Sequence, residues 1–166
     1  MTHFIGLMSG TSLDGVDGVL VDASTQALRA HHHRPFDTRL RAELLALNRR
    51  GDDELHRAAL AGNGVARHYA EVVQELLVRA ALTAADVRAV GAHGQTVRHR
   101  PGEFDGCGYT VQLLNGALLA ELTGIDVVCD LRGRDVAASG QGAALVPAYH
   151  AARFARPGEA GAVLNL

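Results

Sequence analysis

A short segment near the amino terminus combines residue types that can bind phosphate and a hard cation. It reads Gly10, Thr11, Ser12, Leu13, Asp14, Gly15, Val16, Asp17. The glycines allow tight turns in which backbone N–H groups point at phosphate oxygens, and the Thr and Ser hydroxyls are further donors. Asp14 and Asp17 can hold Mg²⁺ directly or through water, because hard cations take oxygen ligands. The segment therefore predicts a phosphate loop with a Mg²⁺ site.

The same segment also suits an ordinary hairpin, which is the commoner structure for turn residues of this kind. It is not a Walker A loop, because no lysine follows the glycines. It lies between two predicted strands, so no helix dipole would assist phosphate binding. These residues alone leave both alternatives open.

A second polar segment, Gly91–Thr96, follows a predicted strand at the end where α/β proteins usually bind ligands. His93 can donate a hydrogen bond to a phosphate or sugar oxygen, or act in acid–base chemistry. Gln95 and Thr96 can recognise hydroxyl or amide groups. The alternative is a loop whose polar side chains satisfy the backbone.

A third polar segment runs from Asp130 to Ala143 and includes Arg132, Asp135 and Gln141. Guanidinium groups suit carboxylates and phosphates, so a sugar acid or a phosphoryl group is a natural ligand. A solvated charged loop with internal ion pairs is the alternative. The run His31–His33 is interpreted as a polar strand edge, since consecutive strand residues point to alternate faces.

Composition excludes several classes of function. The 166 residues are 48% hydrophobic and 20% charged, with a formal net charge of -2, so nothing attracts the chain to nucleic acid or to an anionic membrane. No apolar run reaches bilayer-spanning length and the start lacks a signal-peptide pattern, so we predict a cytoplasmic protein. Cys107 and Cys129 are expected to be reduced thiols, with a single disulfide as the alternative.

Apolar periodicity places these segments on an α/β scaffold. Strands are predicted at 4–8, 16–22, 28–34, 87–92, 109–113 and 125–129. Helices are predicted from Asp37 or Thr38 to Leu47 and from Asp52 or Asp53 onward, with Gly62 and Gly64 weakening the middle. Further helices are predicted at 68–82, at 116–122 with Gly124 as the carboxyl-terminal cap, and at about 146–154. Strands followed by strand–helix alternation predict a mixed sheet flanked by helices.

The carboxyl-terminal residues Ala162–Leu166 read as the start of another strand. An apolar strand left at an edge is normally covered. We therefore expect a fragment, with one domain at residues 1–158 and the first strand of a second lobe at 159–166.

Four blocks in order resemble one family, the anhydro-N-acetylmuramic acid kinases. The blocks are Gly6–Asp17, His93–Pro101, Ala117–Val128 and Arg132–Pro147. The resemblance covers essentially the whole chain, and its first block is highly specific. It implies the lobe of an actin-like ATPase (ribonuclease H-like), truncated before the second lobe.

The resemblance also implies an activity and a site. Such kinases use ATP and Mg²⁺ to convert 1,6-anhydro-N-acetylmuramic acid to N-acetylmuramic acid 6-phosphate in peptidoglycan recycling. Residues Gly10–Asp17 would form the ATP phosphate loop. Arg132, Asp135 and Gln141 would face the sugar, with His93 and Gln95 in the same cleft. The catalytic base would be an aspartate beyond Leu166, and a homodimer is possible.

Four positions depart from the family pattern. The family usually has glycine where Leu114 and Ser139 stand, proline where Ala144 stands and an aromatic or larger apolar residue at Leu131. A replaced glycine can shift a tight loop away from a ligand. Two alternatives remain: a lobe that binds nucleotide or sugar without catalysis, and another actin-like kinase such as an acetate or hexose kinase. Residues 1–166 alone are expected to show little turnover, because such kinases close two lobes over ATP.

Overall fold

The computed structural model describes residues 2–143 and 145–162 and shows an α/β fold. The strands are β1 His3–Ser9, β2 Gly15–Asp22, β3 Ala27–Pro35, β4 Val87–Pro101, β5 Gly108–Leu113 and β6 Val127–Val128. The helices are α1 Thr38–Ala46, α2 Glu54–Ala80, α3 Gly116–Thr123, α4 Gly133–Ala137 and α5 Leu145–Phe154, with a 3₁₀ turn at Ala84–Asp86. The predicted α/β class with a mixed sheet and flanking helices is confirmed.

The chain divides into two compact units. The larger comprises Met1–His99 and Val111–Asp130, and the smaller comprises Arg100–Thr110 and Leu131–Leu166. The boundary expected after residue 158 stays a prediction. Residues 163–166 of the strand predicted from Ala162 lie outside the described residues.

The sheet is built on an antiparallel meander. Its order is β3-β2-β1-β4-β5, and β6 pairs with β4. Strands β1 and β2 are antiparallel, as are β2 and β3, whereas β4 runs parallel to β1 and to β6. The loop from Gly10 to Asp14 therefore joins two central strands at the carboxyl end of β1.

One long helix covers this meander. Helix α2 buries an apolar face that includes Val65, Tyr69, Val72, Val73, Leu76 and Leu77. The two helical patterns predicted in this region belong to that single helix. Gly62 and Gly64 do not interrupt it, and a Cβ atom at Gly64 would lie only 2.9 Å from Leu40 Cδ1 in α1. Glycine at this position lets α1 pack closely, which offsets its low helix propensity.

Local capping chemistry follows the sequence. The Asp37 carboxylate accepts from the Leu40 N–H (2.8 Å) at the start of α1. Gly124 ends α3 in the left-handed region at φ 68°. Asp37 is one of the two caps predicted for α1, and Gly124 is the cap predicted for α3; both are visible in the sequence because each depends on residues within one helical turn.

Three further predictions need correction. His93–Thr96 do not form a loop, because β4 continues to Pro101 between the neighbouring strands β1 and β5. Strand β6 is only Val127–Val128 rather than 125–129. The predicted glycine-rich loop after Asp130 contains the short helix α4.

Both cysteines are free thiols. In the described part of the chain, none of the helices is long and apolar enough to cross a bilayer.

Candidate functional site

The predicted phosphate loop is a compact turn whose backbone is held from outside. The Leu13 N–H donates to Gly10 O (3.2 Å), and Leu13 takes a left-handed conformation (φ 57°) with its side chain buried. Arg41 Nε donates to Leu13 O (2.9 Å), and the Phe36 N–H donates to Asp14 O (3.3 Å). The loop is therefore anchored by α1 and by the chain leading into it.

Two exposed residues of this loop carry backbone N–H donors that are unpaired within the part of the chain that the structure describes. Thr11 and Ser12 are exposed, and their N–H groups have no hydrogen-bond partner among the described residues. Adjacent backbone N–H groups in a turn are a common anion-binding arrangement. The loop therefore has the donors that a phosphate group requires.

Asp14 is held as an ionised carboxylate. Its Oδ1 accepts from Ser12 Oγ (2.7 Å) and from the Gly15 N–H (3.1 Å). The Ser12 hydroxyl is the main reason that the pKa of Asp14 is lowered, with backbone N–H groups and the charge of His33 adding to it. The negative charge is thus available at neutral pH next to the exposed amides.

Asp17 is placed differently from Asp14. It lies on β2, and its Oδ1 is 3.1 Å from His33 Nδ1 and 3.4 Å from His31 Nε2 on the neighbouring edge strand. The predicted polar edge at His31–His33 is confirmed, since β3 ends the sheet. His31 and His33 lie two residues apart and so share the face of Asp17.

The acidic side chains fit Mg²⁺ as part of a shared coordination sphere. No group of three or more His, Cys, Asp or Glu side chains within the described residues is arranged to hold a metal ion. Mg²⁺ is usually bound by one or two carboxylates together with substrate phosphates and water. Asp14 and Asp17, both exposed and both near His33, are suited to that mode.

Strand β4 carries a bulge beside this loop. Leu7 pairs with Ala92, but Ser9 pairs with Gln95, so β4 contains one extra residue. Gly94 has φ 75°, and a Cβ atom there would lie 3.0 Å from Leu113 O. Only glycine combines this backbone conformation with such close packing.

The bulge is tied to β1 and α2 by buried polar groups. Ser9 Oγ donates to Gly94 O (3.2 Å) and lies 2.9 Å from the Tyr69 hydroxyl. Since the Ser9 proton is used in this way, Tyr69 is the donor to Ser9. His93 Nδ1 also bonds to Gly94 O (2.7 Å). Gln95 Nε2 donates to Gly10 O (3.0 Å) and Thr96 O (3.3 Å).

The buried Tyr69 hydroxyl is expected to make the stability of the fold depend on pH in the alkaline range. Burial raises the pKa of Tyr69 to about 12. An unfolded tyrosine titrates near pH 10, so the fold favours the neutral hydroxyl. The resulting stabilisation is fully present below pH 10 and is lost as the pH rises to 12. Between pH 9 and 11, the free energy of unfolding measured with urea should fall by about 1 kcal/mol in the wild-type protein. This fall should be absent in Tyr69→Phe. Tyr149→Phe, at an exposed tyrosine, is the control. An equal alkaline loss in wild type and Tyr69→Phe would contradict the assignment.

The predicted sugar loop belongs to the smaller unit and is shaped by its own side chains. Asp135 Oδ2 accepts from the Gly142 N–H (2.7 Å), and Asp135 O accepts from the Gly140 N–H (2.8 Å). Arg132 Nη1 donates to Gly142 O. Arg132 and Asp135 thus fold residues 140–142 back toward α4, while Gln141 is exposed.

Ser139 explains one departure from the family pattern. It has φ 66°, the left-handed conformation that glycine adopts at little cost. Ser139 therefore takes the backbone geometry that the family's glycine favours. Ala144 lies outside the described residues.

The structure brings together two of the segments that the sequence singled out. Gly10 of the phosphate loop contacts Gln95 of the second segment. Arg132, Asp135 and Gln141 are grouped within the smaller unit. Sequence reasoning missed Ser9 and Tyr69. A tyrosine on the apolar face of an amphipathic helix is a signal that could have found them, because a buried hydroxyl needs a partner.

These features define an α/β protein whose central hairpin carries a glycine-rich loop of exposed amides, hydroxyls and carboxylates. A family profile described as anhydro-N-acetylmuramic acid kinase matches residues 2–166. The chain belongs to the anhydro-N-acetylmuramic acid kinase family.

Individual relatives agree over nearly all of the chain. It is 66% identical over 165 residues to the anhydro-N-acetylmuramic acid kinase of Variovorax paradoxus (strain S110), covering 98% of this chain and 44% of the relative. The identity to the protein of the same name in Albidiferax ferrireducens is 63%, and the match covers 98% of this chain and 42% of the relative. The identity to the anhydro-N-acetylmuramic acid kinase of Bordetella petrii is 64%, and the match covers 98% of this chain and 43% of the relative. The chain thus spans less than half the length of these relatives.

Proposed function

We propose that the full-length protein containing this chain uses ATP to convert 1,6-anhydro-N-acetylmuramic acid to N-acetylmuramic acid 6-phosphate in peptidoglycan recycling. Membership of the family supports the proposal, because the relatives bear the name of this kinase. The observation within the chain that carries it is the loop Gly10–Asp14. Its exposed amides and hydroxyls are suited to the phosphates of ATP, and its ionised carboxylate is suited to the Mg²⁺ that accompanies them.

The loop would contribute positioning and charge neutralisation, which are the main requirements of phosphoryl transfer. The N–H groups of Thr11 and Ser12 would bind phosphate oxygens, and the carboxylates of Asp14 and Asp17 would hold Mg²⁺. When bound, Mg²⁺ neutralises charge on the phosphates. The hydrogen bond from the Ser12 hydroxyl lowers the pKa of Asp14 and so further favours its charged form.

The proposed reaction consumes water as well as ATP. The sugar oxygen O6 takes the γ-phosphoryl group, the bond from C1 to O6 breaks, and the hydroxyl of water is left on C1. The base that removes the water proton is expected to be an aspartate after Leu166. Gln141 is proposed as a sugar contact because it is exposed on a loop that Arg132 and Asp135 hold in shape. His93, beside the bulge, is proposed to contact the sugar or a phosphate.

A coupled assay of ADP release by the full-length protein tests this function. Turnover should require ATP, Mg²⁺ and the anhydro sugar, and ³¹P NMR should show a sugar 6-phosphate. N-acetylmuramic acid, a hexose and acetate are the matched acceptors. Good turnover of any of these without turnover of the anhydro sugar would overturn the substrate assignment. Residues 1–166 assayed alone are expected to show little activity, and clear sugar-dependent turnover there would contradict the need for a second lobe.

A further inference from the structure

Gln95 is buried in a way that a ligand contact does not explain. Its side chain has 0% relative exposure, although it carries a polar amide. Its Nε2 donates to two carbonyl groups, those of Gly10 and Thr96, which fixes the orientation of the amide. Its Oε1 is buried without a hydrogen-bond partner among the described residues. Such an unpaired oxygen is destabilising, so the amide needs a reason to be there.

The contact to Gly10 supplies that reason. Gly10 O also accepts the Leu13 N–H that closes the phosphate loop, so this one carbonyl joins the turn to β4. A carbonyl held from both sides fixes the peptide plane between Gly10 and Thr11, because a peptide unit is planar. The direction of the Thr11 N–H is set by the same plane. Gln95 therefore orients a donor that it does not itself touch.

Tyr69 holds the residue before Gly10 in the same way. Its hydroxyl is fully buried in α2 and donates to Ser9 Oγ, which in turn donates to Gly94 O at the bulge. The bulge places Gln95 opposite Ser9, one residue further along β4 than regular pairing with Leu7 and Ala92 would give. The last residue of β1 and the first residue of the loop are thus each tied to a separate buried side chain.

We propose that Gln95 and Tyr69 are positioning residues that set the backbone of the phosphate loop for ATP, and that Gln95 does not contact the sugar. The inference rests on the proposed function of Gly10–Asp17 as the ATP loop. It revises the role implied for Gln95 by the family resemblance. Both residues act through Ser9 and Gly10, so removing them should impair nucleotide binding and spare sugar binding.

The test uses steady-state kinetics of the full-length protein with both substrates varied. Gln95→Met keeps the volume of the side chain and removes the amide, and Tyr69→Phe removes only the hydroxyl. Each variant should raise the KM for ATP about tenfold and leave the KM for the anhydro sugar within about twofold, as expected for one lost buried hydrogen bond. Amide hydrogen exchange at residues 10–15 should become faster in both variants.

Thr123→Val is the matched control. Thr123 is a buried hydroxyl in α3 that donates to Leu119 O, and its bonds are not made to the phosphate loop. Its loss should lower the melting temperature without changing either KM. Assays are run well below the melting temperature of every variant, and the apolar substitution Gln95→Leu replaces Gln95→Met if the latter does not fold.

The outcomes separate this inference from the function on which it rests. If the KM for the sugar rises in Gln95→Met while the KM for ATP is unchanged, Gln95 contacts the sugar and the proposal is wrong. Unchanged values of both constants in both variants would also overturn it. If the wild-type protein neither binds nor uses ATP, the proposed function itself fails.

Discussion

Gly15→Ala is expected to destabilise the protein by about 3 kcal/mol, while Gly10→Ala leaves stability within about 0.5 kcal/mol and weakens ATP binding. Gly15 pairs with Pro35, and an added Cβ atom would lie 2.7 Å from Pro35 Cα and would overlap the Arg34 carbonyl. These are backbone atoms, so relief requires β2 and β3 to separate. A loss of this size lowers the melting temperature by roughly 10 °C in a domain of this length.

At Gly10, an added Cβ atom would not overlap other atoms of the residues that the structure describes. The closest atom to a Cβ there would be Ser12 Oγ at 3.4 Å, an ordinary contact. The methyl group would instead lie 4.0 Å from Ser12 N, one of the two amides proposed to bind phosphate oxygens. The KM for ATP should therefore rise about tenfold or more without loss of stability. Equal melting temperatures for the two variants, or a normal KM for ATP in Gly10→Ala, would contradict this division of roles.

Asp14→Asn is expected to lower kcat/KM for ATP about 100-fold and to raise the Mg²⁺ concentration needed for half-maximal activity. Asparagine keeps an Oδ1 acceptor for the Ser12 hydroxyl and the Gly15 N–H, so the loop conformation should survive. The change removes the charge that Mg²⁺ requires, and metal stabilisation of a phosphoryl transition state is worth several kcal/mol. Activity is measured at fixed ATP while Mg²⁺ is varied.

Asp22→Asn is the matched control for this experiment. Asp22 lies at the other end of β2, where its Oδ1 accepts from the Ser24 N–H (3.0 Å) and Ser24 Oγ (2.6 Å). Asp22 thus accepts from one hydroxyl and one backbone N–H, as Asp14 does, but it lies at the end of β2 away from the phosphate loop. Asp22→Asn should leave the Mg²⁺ dependence unchanged. An unaltered Mg²⁺ dependence in Asp14→Asn would exclude Asp14 as a metal-binding residue.

Much of the scaffold could be predicted because its signals are local. Four of the six strands lie close to their predicted positions, since short apolar runs bounded by turn residues are typical of buried strands. The predicted extent of β4 was wrong, and the reason is physical. Polar residues such as His93 and Gln95 resemble a loop in sequence, but strands on both sides supply their backbone partners.

The candidate site was predictable as a set of residue types and not as a set of contacts. Glycines, hydroxyls and carboxylates between two strands are compatible with phosphate binding and with an ordinary hairpin, and the family resemblance favours phosphate binding. Nothing in that pattern indicates that Asp17 bonds to His31 and His33, or that Asp135 holds the backbone of Gly142. Such partners depend on which strands become neighbours and on how a loop closes.

The sequence by itself determined the helix caps at Asp37 and Gly124, the strands of the meander and the chemistry available between Gly10 and Asp17. Only the tertiary structure decided that Tyr69 meets Ser9 across 60 residues and that Gln95 meets Gly10 across 85. A cap is stabilised by atoms within a few residues, so its pattern is visible in a short window. A contact between distant residues is formed only after α2 packs on the sheet and β4 takes its bulge, and no local preference encodes either event.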